Sequence, residues 1–139
     1  VSDKKGLEEL TLLEDLRYDQ EHAWARVKGD NVIVGISDFA QDQLGDIVFL
    51  ELPNVGEVFE KGDVFGQAES VKSVSALYVP IGGEIVAVNE ELADSPDTVN
   101  KQPYEAGWMV ELKPNDLSEI EELLTKEDYL SYLRDSESI

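Results

Sequence analysis

The chain has no cysteine. Disulfides, thiol catalysis and cysteine-ligated metals are therefore excluded. Histidine occurs once, as His22. A zinc or iron site would have to be mostly carboxylate, and a Ser-His-Asp hydrolase would have no other base. No nucleophile motif accompanies His22, which reads as an exposed or edge-packed side chain. The aspartate spacing and central glycine of a calcium loop are missing, and so is a phosphate-binding loop. Basic residues are scarce: 11 Lys and Arg stand against 31 Asp and Glu, for a formal net charge of −20. Such a chain repels phosphate backbones, which argues against nucleic-acid partners and for partners with basic patches. No apolar run approaches spanning length and no signal peptide is visible. A membrane partner is not expected, and the cytoplasm is the default compartment.

The 139 residues amount to one domain, with enough aliphatic and aromatic content (42% hydrophobic overall) to bury a core. The expected division is an N-terminal extension over 1–16, a domain over 17–134 and an acidic tail over 135–139, acting as a monomer. In the extension, Leu7, Leu10 and Leu13 at helical spacing predict a short helix or partly ordered arm resting loosely on the body. Trp24–Val27 and Val32–Ile36, joined by a Lys-Gly-Asp-Asn turn, predict a hairpin. Ser37 and Gly45 bracket a two-turn helix as its start and stop signals. Asp46–Leu52 alternates as a strand, and 56–68 reads as a second hairpin turning at Lys61-Gly62-Asp63. The fragments VGEVFEKGD and GGEIVAVNE form a weak internal repeat, which suits a pseudo-twofold flattened barrel. Residues 89–107 are expected to be a long turn-rich connection. Trp108–Leu112 closes the sheet before Pro114. Ser118-x-x-Glu121 reads as a capping box, and Thr125 caps a last helix over 126–134, beyond which the tail frays.

The centre of the chain is Gly66–Val79, GQAESVKSVSALYV. Phe65, Gln67 and Glu69 alternate with Val64, Gly66 and Ala68, and Val74, Ala76 and Tyr78 alternate with Ser75, Leu77 and Val79. A period of two is the mark of strands. Ser70, Val71, Lys72 and Ser73 are left to close the turn, with Lys72 at the tip, projecting into solvent on a rigid base. A lysine on a hairpin tip ordinarily does no more than solvate the turn. The string around this one says more.

ESVKSVS, at the end of an apolar strand and ahead of a Pro-Ile-Gly-Gly-Glu-Ile segment, resembles the lipoyl-lysine hairpin of glycine cleavage system H proteins. RYDQEHAW, at 17–24, is similar to the opening motif of that family, and the DSP…VN…PY…GW run over 94–108 resembles a third family string. The resemblance covers the chain from Tyr18 to the C-terminal helices. It implies a mainly β (α+β) fold, a flattened barrel or sandwich hybrid of the lipoyl/biotinyl type with a short helix and C-terminal helices. Lys72 would hold lipoate in amide linkage, with Glu69, Ser70 and Val71 forming the lipoyl hairpin. Biotinyl relatives carry methionines beside their lysine; Val71 and Ser73 here point to lipoate. The implied protein is no enzyme. It is a carrier that shuttles the aminomethyl intermediate of glycine from a pyridoxal-phosphate decarboxylase to an aminomethyltransferase, and is then reoxidised by dihydrolipoamide dehydrogenase. A lipoate ligase or a lipoyl/octanoyl transferase would load it, in the bacterial cytoplasm or, in a eukaryote, the mitochondrial matrix.

Ala23 and Ala76 depart from the family, which places a glutamate and an aspartate there to hold the charged arm in a cleft. The resemblance then implies weaker sheltering, or other acids in that role, such as Glu21 or Glu69. Two further readings stand beside it. One is an H-like lipoate carrier of a sulfur-oxidising heterodisulfide reductase-like system. The other is a non-lipoylated domain that binds partners through its acidic face.

Overall fold

The computed structural model describes Gly6 and residues 9–137. Among the described residues, nine strands make two antiparallel sheets. The larger has the order β1-β2-β3-β9-β8-β5, built from Arg17–Tyr18, Ala23–Lys28, Asn31–Ile36, Val110–Pro114, Gly83–Val88 and Val58–Phe59. The smaller has the order β4-β6-β7, from Ile47–Glu51, Val64–Ser70 and Val74–Tyr78. Both sheets keep their edges, so the architecture is a mainly β sandwich and not a closed barrel. Helices α1 (Asp38–Leu44), α2 (Glu91–Asp94), α3 (Thr98–Lys101) and α4 (Lys126–Glu137) and a 3-10 helix (Leu117–Glu122) are short by comparison.

Two clusters hold the sandwich together. Inward side chains of both sheets, among them Val34, Ile47, Phe65, Leu77, Ile85 and Leu112, form the main core. On the larger sheet, Tyr18 and Trp24 build a second core with Leu12, Leu16, Tyr104, Tyr129 and Leu133. The Tyr18 and Tyr129 rings stack with centroids 4.5 Å apart. Trp24 is fully buried, and its Nε1–H donates to the Pro103 carbonyl at 3.0 Å. A buried indole N–H needs such a partner.

Several elements differ from the sequence expectation, some because a long-range partner overrides a local signal. The N-terminal leucines form no helix over residues 10–16. The Thr11 N–H donates to Asp38 Oδ2, the Leu13 N–H to the Tyr18 hydroxyl, and the Thr11 carbonyl accepts from the Tyr104 hydroxyl. These bonds take the backbone groups a helix would use, and the arm is docked, not loose. Leu7 lies outside the described residues. The 56–68 hairpin does not exist: β5 pairs with β8 and β6 with β4 and β7, so the Lys61-Gly62-Asp63 turn carries the chain from one sheet to the other. The two repeat fragments meet there, Val58 opposite Glu84 and Phe59 opposite Gly83. The β4 strand is bulged between Ile47 and Phe49, so Val48 and Phe49 both face out. The 89–107 connection holds the single-turn helices α2 and α3. β9 begins two residues later than expected and runs through Pro114. Asp116, not Ser118, caps the 3-10 helix, because its carboxylate takes both the N–H and the hydroxyl of Ser118. Residues 135–137 continue α4, and the last two residues lie outside the described part.

Gly35 on β3 sits directly opposite Trp24. A Cβ there would lie 2.7 Å from Trp24 Cε2 and Cζ2. Gly35→Ala is expected to cost about 1–3 kcal/mol by overpacking, since the indole is locked by its hydrogen bond. Urea unfolding followed by circular dichroism measures this, and an unchanged midpoint would show that Trp24 can yield.

Candidate functional site

The Lys72 hairpin forms as the alternation predicts. The β6–β7 register pairs Gln67 with Ala76, Ala68 with Ser75 and Glu69 with Val74, leaving Ser70 and Ser73 as the closing pair around a two-residue corner, Val71-Lys72. Two-residue corners usually demand residues with positive φ. Neither Val71 nor Lys72 has one. Ser70 supplies the solution. Its hydroxyl oxygen accepts from the backbone N–H groups of Lys72 and Ser73, both at 3.2 Å, and its hydroxyl donates to the Ser73 carbonyl at 3.3 Å. The Ser70 N–H donates to the same carbonyl at 2.8 Å. The side chain thus replaces a backbone contact that the corner itself cannot make. Val71 N–H also donates to the Asp46 carbonyl, which ties the tip to the start of β4.

Lys72 is exposed, but its stem leans back over the end of α1. A methyl group placed on Gly45 would meet Lys72 Cε at 3.3 Å and Nζ at 3.5 Å. Gly45 has φ +81°, so it both ends α1 and leaves room for the lysine. Asn100, on α3, fixes this junction: its amide donates to the Gly45 carbonyl and to Gln41 Oε1, while its Oδ1 accepts from the Ile47 N–H. Local pattern reading could not find that role, because the partners lie more than fifty residues away.

Beyond Gly45 opens a cleft of about 270 Å³. One wall is α1, through Phe39, Ala40 and Leu44. The second is β7, through Ser75–Tyr78, and the third is the rim loop carrying Glu21, His22 and Ala23. Both departing alanines, Ala23 and Ala76, line it. Of the two substitute acids, Glu21 is at the cleft, whereas Glu69 lies on the outer face of the small sheet, paired with Phe49 and Val74.

The rim loop is tightly bound to the body. Asp19 Oδ1 accepts from the N–H groups of Glu21 and Ala23 at 3.0 and 2.8 Å, and the Asp19 N–H donates to the Ala23 carbonyl. His22 is held at φ +72°, an unusual conformation for a residue other than glycine. It is half-buried, not exposed, and its Nδ1 lies 2.9 Å from the Tyr129 hydroxyl. The same hydroxyl lies 2.8 Å from Ser37 Oγ, the N-cap of α1. Burial pushes the His22 imidazole down to about 4, so it is neutral at physiological pH. Burial also pushes the Asp19 carboxyl up to about 6, against the two N–H groups that favour its ionised form.

A β sandwich of lipoyl type that presents a lysine on a tied hairpin, beside an apolar cleft, defines the class: a carrier domain. Comparison with known proteins sets the family. Residues 16–136 match the profile described as Glycine cleavage H-protein. The glycine cleavage system H protein of Anoxybacillus flavithermus is 55% identical over 120 residues, covering 86% of this chain and 94% of its own. That of Geobacillus sp. strain WCH70 is 57% identical over 115 residues, covering 83% and 91%. The crystal structure of a glycine cleavage system H protein from Mycobacterium marinum superposes with a TM-score of 0.80 at 38% identity, over 87% of this chain and 98% of that one. The chain belongs to the glycine cleavage H-protein family: it is the lipoyl-carrier component of the glycine cleavage system and not one of its catalysts. The matches favour this reading over both the sulfur-oxidation carrier and the unmodified acidic domain.

The rim loop titrates in two opposed ways. His22 has a folded value below its unfolded one, so its contribution to stability is present above about 6.5 and is lost as pH falls towards 4. Asp19 has a folded value above its unfolded one, so its contribution is present below about 4 and is lost as pH rises through 6. Asp19→Asn keeps the acceptor oxygen and removes the titration. The variant is expected to unfold at higher urea than the parent at pH 7.5 and to lose stability more steeply between pH 6.5 and 4.5. The reverse order at pH 7.5 would mean that the two N–H donors outweigh desolvation.

Proposed function

We propose that Lys72 is the lipoylation site and that the cleft beside Gly45 receives the attached arm. The observation that carries this reading is the lysine stem lying against Gly45, the residue next to the cleft-lining Leu44, on a corner that Ser70 holds rigid. The residues present fit the group. An amide link removes the lysine charge, and Phe39, Ala40, Leu44 and Leu77 offer the resulting chain an apolar bed. When bound, lipoate supplies a disulfide that opens to take up the aminomethyl unit of glycine and is regenerated by oxidation. The chain's own tasks are to hold the corner, clear the path at Gly45 and keep water from the stored unit. The partners are a pyridoxal-phosphate glycine decarboxylase, an aminomethyltransferase and dihydrolipoamide dehydrogenase. A tether brings the arm to each at an effective concentration of about millimolar. The relatives named above are bacterial, which supports the cytoplasm as the place of action for a monomeric carrier.

With Ala23 and Ala76 at the cleft, Glu21 takes the sheltering role of the missing carboxylates. Its position at the rim supports this, and Glu69 does not line the cleft.

Coexpression with a lipoate ligase, followed by peptide mass mapping, is expected to place a single lipoyl adduct on Lys72. A Lys72→Arg variant is expected to carry none, and an adduct on another lysine of that variant would sink the assignment.

Glu21→Gln is expected to release ammonia from the isolated, loaded carrier about tenfold faster, equivalent to about 1.4 kcal/mol of lost sheltering. Ala23→Glu with Ala76→Asp is expected to slow release relative to the parent. Equal rates in all three proteins, each folded and fully loaded, would mean that carboxylates at the cleft play no sheltering part.

A further inference from the structure

Four exposed hydrophobic side chains gather at one end of the small sheet. Val48, Phe49, Val71 and Val74 are 50, 55, 71 and 59% exposed. The bulge in β4 turns Val48 and Phe49 outward together, where regular alternation would send one of them inward. In register, Phe49, Glu69 and Val74 form a row across β4, β6 and β7, immediately below the Val71-Lys72 corner. At a strand spacing of about 4.8 Å the ends of that row stand only about 10 Å apart. A large apolar side chain buried instead of exposed typically gains about 1.5–3 kcal/mol, so leaving this group in water works against stability alone. None of the four lines the cleft that receives the arm.

We propose that this outer face, centred on Phe49 and Val74, is the docking surface for the enzyme that acylates Lys72. The inference rests on the assignment of Lys72 as the lipoylation site. Reach selects the occupant. An unmodified lysine extends no further than its four-carbon stem, so the acylating enzyme must close on the corner itself and touch what surrounds it. Enzymes that work on the finished arm meet a reactive group far from the backbone and can stand off. The complementary partner presents an apolar pocket with a basic border, since Asp46 lies beside Val48 and Glu69 divides Phe49 from Val74. An apolar centre with a charged rim is the usual layout of a specific interface, and the net charge of −20 steers a basic partner towards it. In the docked complex the deprotonated Lys72 Nζ attacks the carbonyl carbon of a lipoyl adenylate. The amide C–N bond forms, the C–O bond to the phosphate breaks, AMP leaves with the electron pair, and the surplus proton passes to solvent.

The test measures acylation by a lipoate ligase with ATP and lipoate, following Lys72 adduct by peptide mass at varied carrier concentration. Phe49→Ser combined with Val74→Ser is expected to raise KM for the carrier about tenfold with little change in kcat, the pattern of lost docking. Val74→Thr alone, nearly isosteric, keeps the question answerable if the double variant folds poorly, and is expected to shift KM in the same direction. Val27→Ser, an equally exposed site on the other sheet, is expected to leave KM unchanged. Unchanged KM in the Phe49 and Val74 variants, with the parent acylated normally, would overturn the docking surface alone. Failure of the parent to be acylated at Lys72 would overturn the site assignment and this inference with it.

Discussion

The Tyr129 hydroxyl lies where three pieces of chain meet, and it bonds to two of them from the third. Tyr129 comes from α4, near the C-terminus. Its oxygen lies within 2.9 Å of His22 Nδ1 on the rim loop and 2.8 Å of Ser37 Oγ at the start of α1. Rim loop and α1 are two of the three walls of the cleft, so this hydroxyl, together with the Ser37 N–H that donates to the His22 carbonyl at 2.8 Å, sets the distance between them. Hydrogen bonds of this kind gain strength away from water and become costly when half-satisfied, which makes the junction an all-or-nothing element. The ring of Tyr129 adds its stack on Tyr18, and Tyr18 in turn pairs with the carbonyl and N–H of Leu124. The C-terminal helix is therefore part of the cleft's framework, although it lines none of it.

The opposite demand falls on the hairpin. Its lysine has to be reachable, yet the corner cannot wander if the arm is to start from a fixed point. A flexible loop would satisfy the first requirement and a buried one the second. Ser70 meets both, because one buried hydroxyl ties down the Lys72 and Ser73 backbone while leaving the side chains of Val71 and Lys72 in solvent. Gly45 and Asn100 then fix where the lysine stem lies relative to α1. Preorganised supports of this sort are what let a carrier depend on a long attached group without being reshaped by it.

Features set by neighbours in sequence were legible before the fold was known. The alternation around Lys72, the Ser37 and Gly45 caps of α1, the hairpin over Trp24–Ile36 and the Thr125 cap of α4 all appear where local chemistry puts them. Features decided by distant partners were not. The crossover at Gly62 looks like any hairpin turn until β8 is present to claim β5. The N-terminal leucines have helical spacing, but Asp38, Tyr18 and Tyr104 take the hydrogen bonds that would close the helix. His22 packs at the edge, but nothing near it in sequence announces its partner Tyr129, 107 positions away. At the site itself, Lys72, Ser70 and Val71 form the corner and Glu69 sits in the same hairpin, as local alternation implies, while the cleft walls required the fold.

The central claim is that the arm attached to Lys72 lies in the cleft between α1, β7 and the rim loop. Nuclear magnetic resonance spectra of the protein before and after acylation of Lys72 test it most directly. The account predicts that amide and methyl resonances of Phe39, Ala40, Leu44 and Ala76 shift together, with those of the far side of the larger sheet, such as Val27, unmoved. Shifts confined to Val71, Lys72 and Ser73 would contradict it, because the arm would then hang in solvent and the cleft would serve some other purpose.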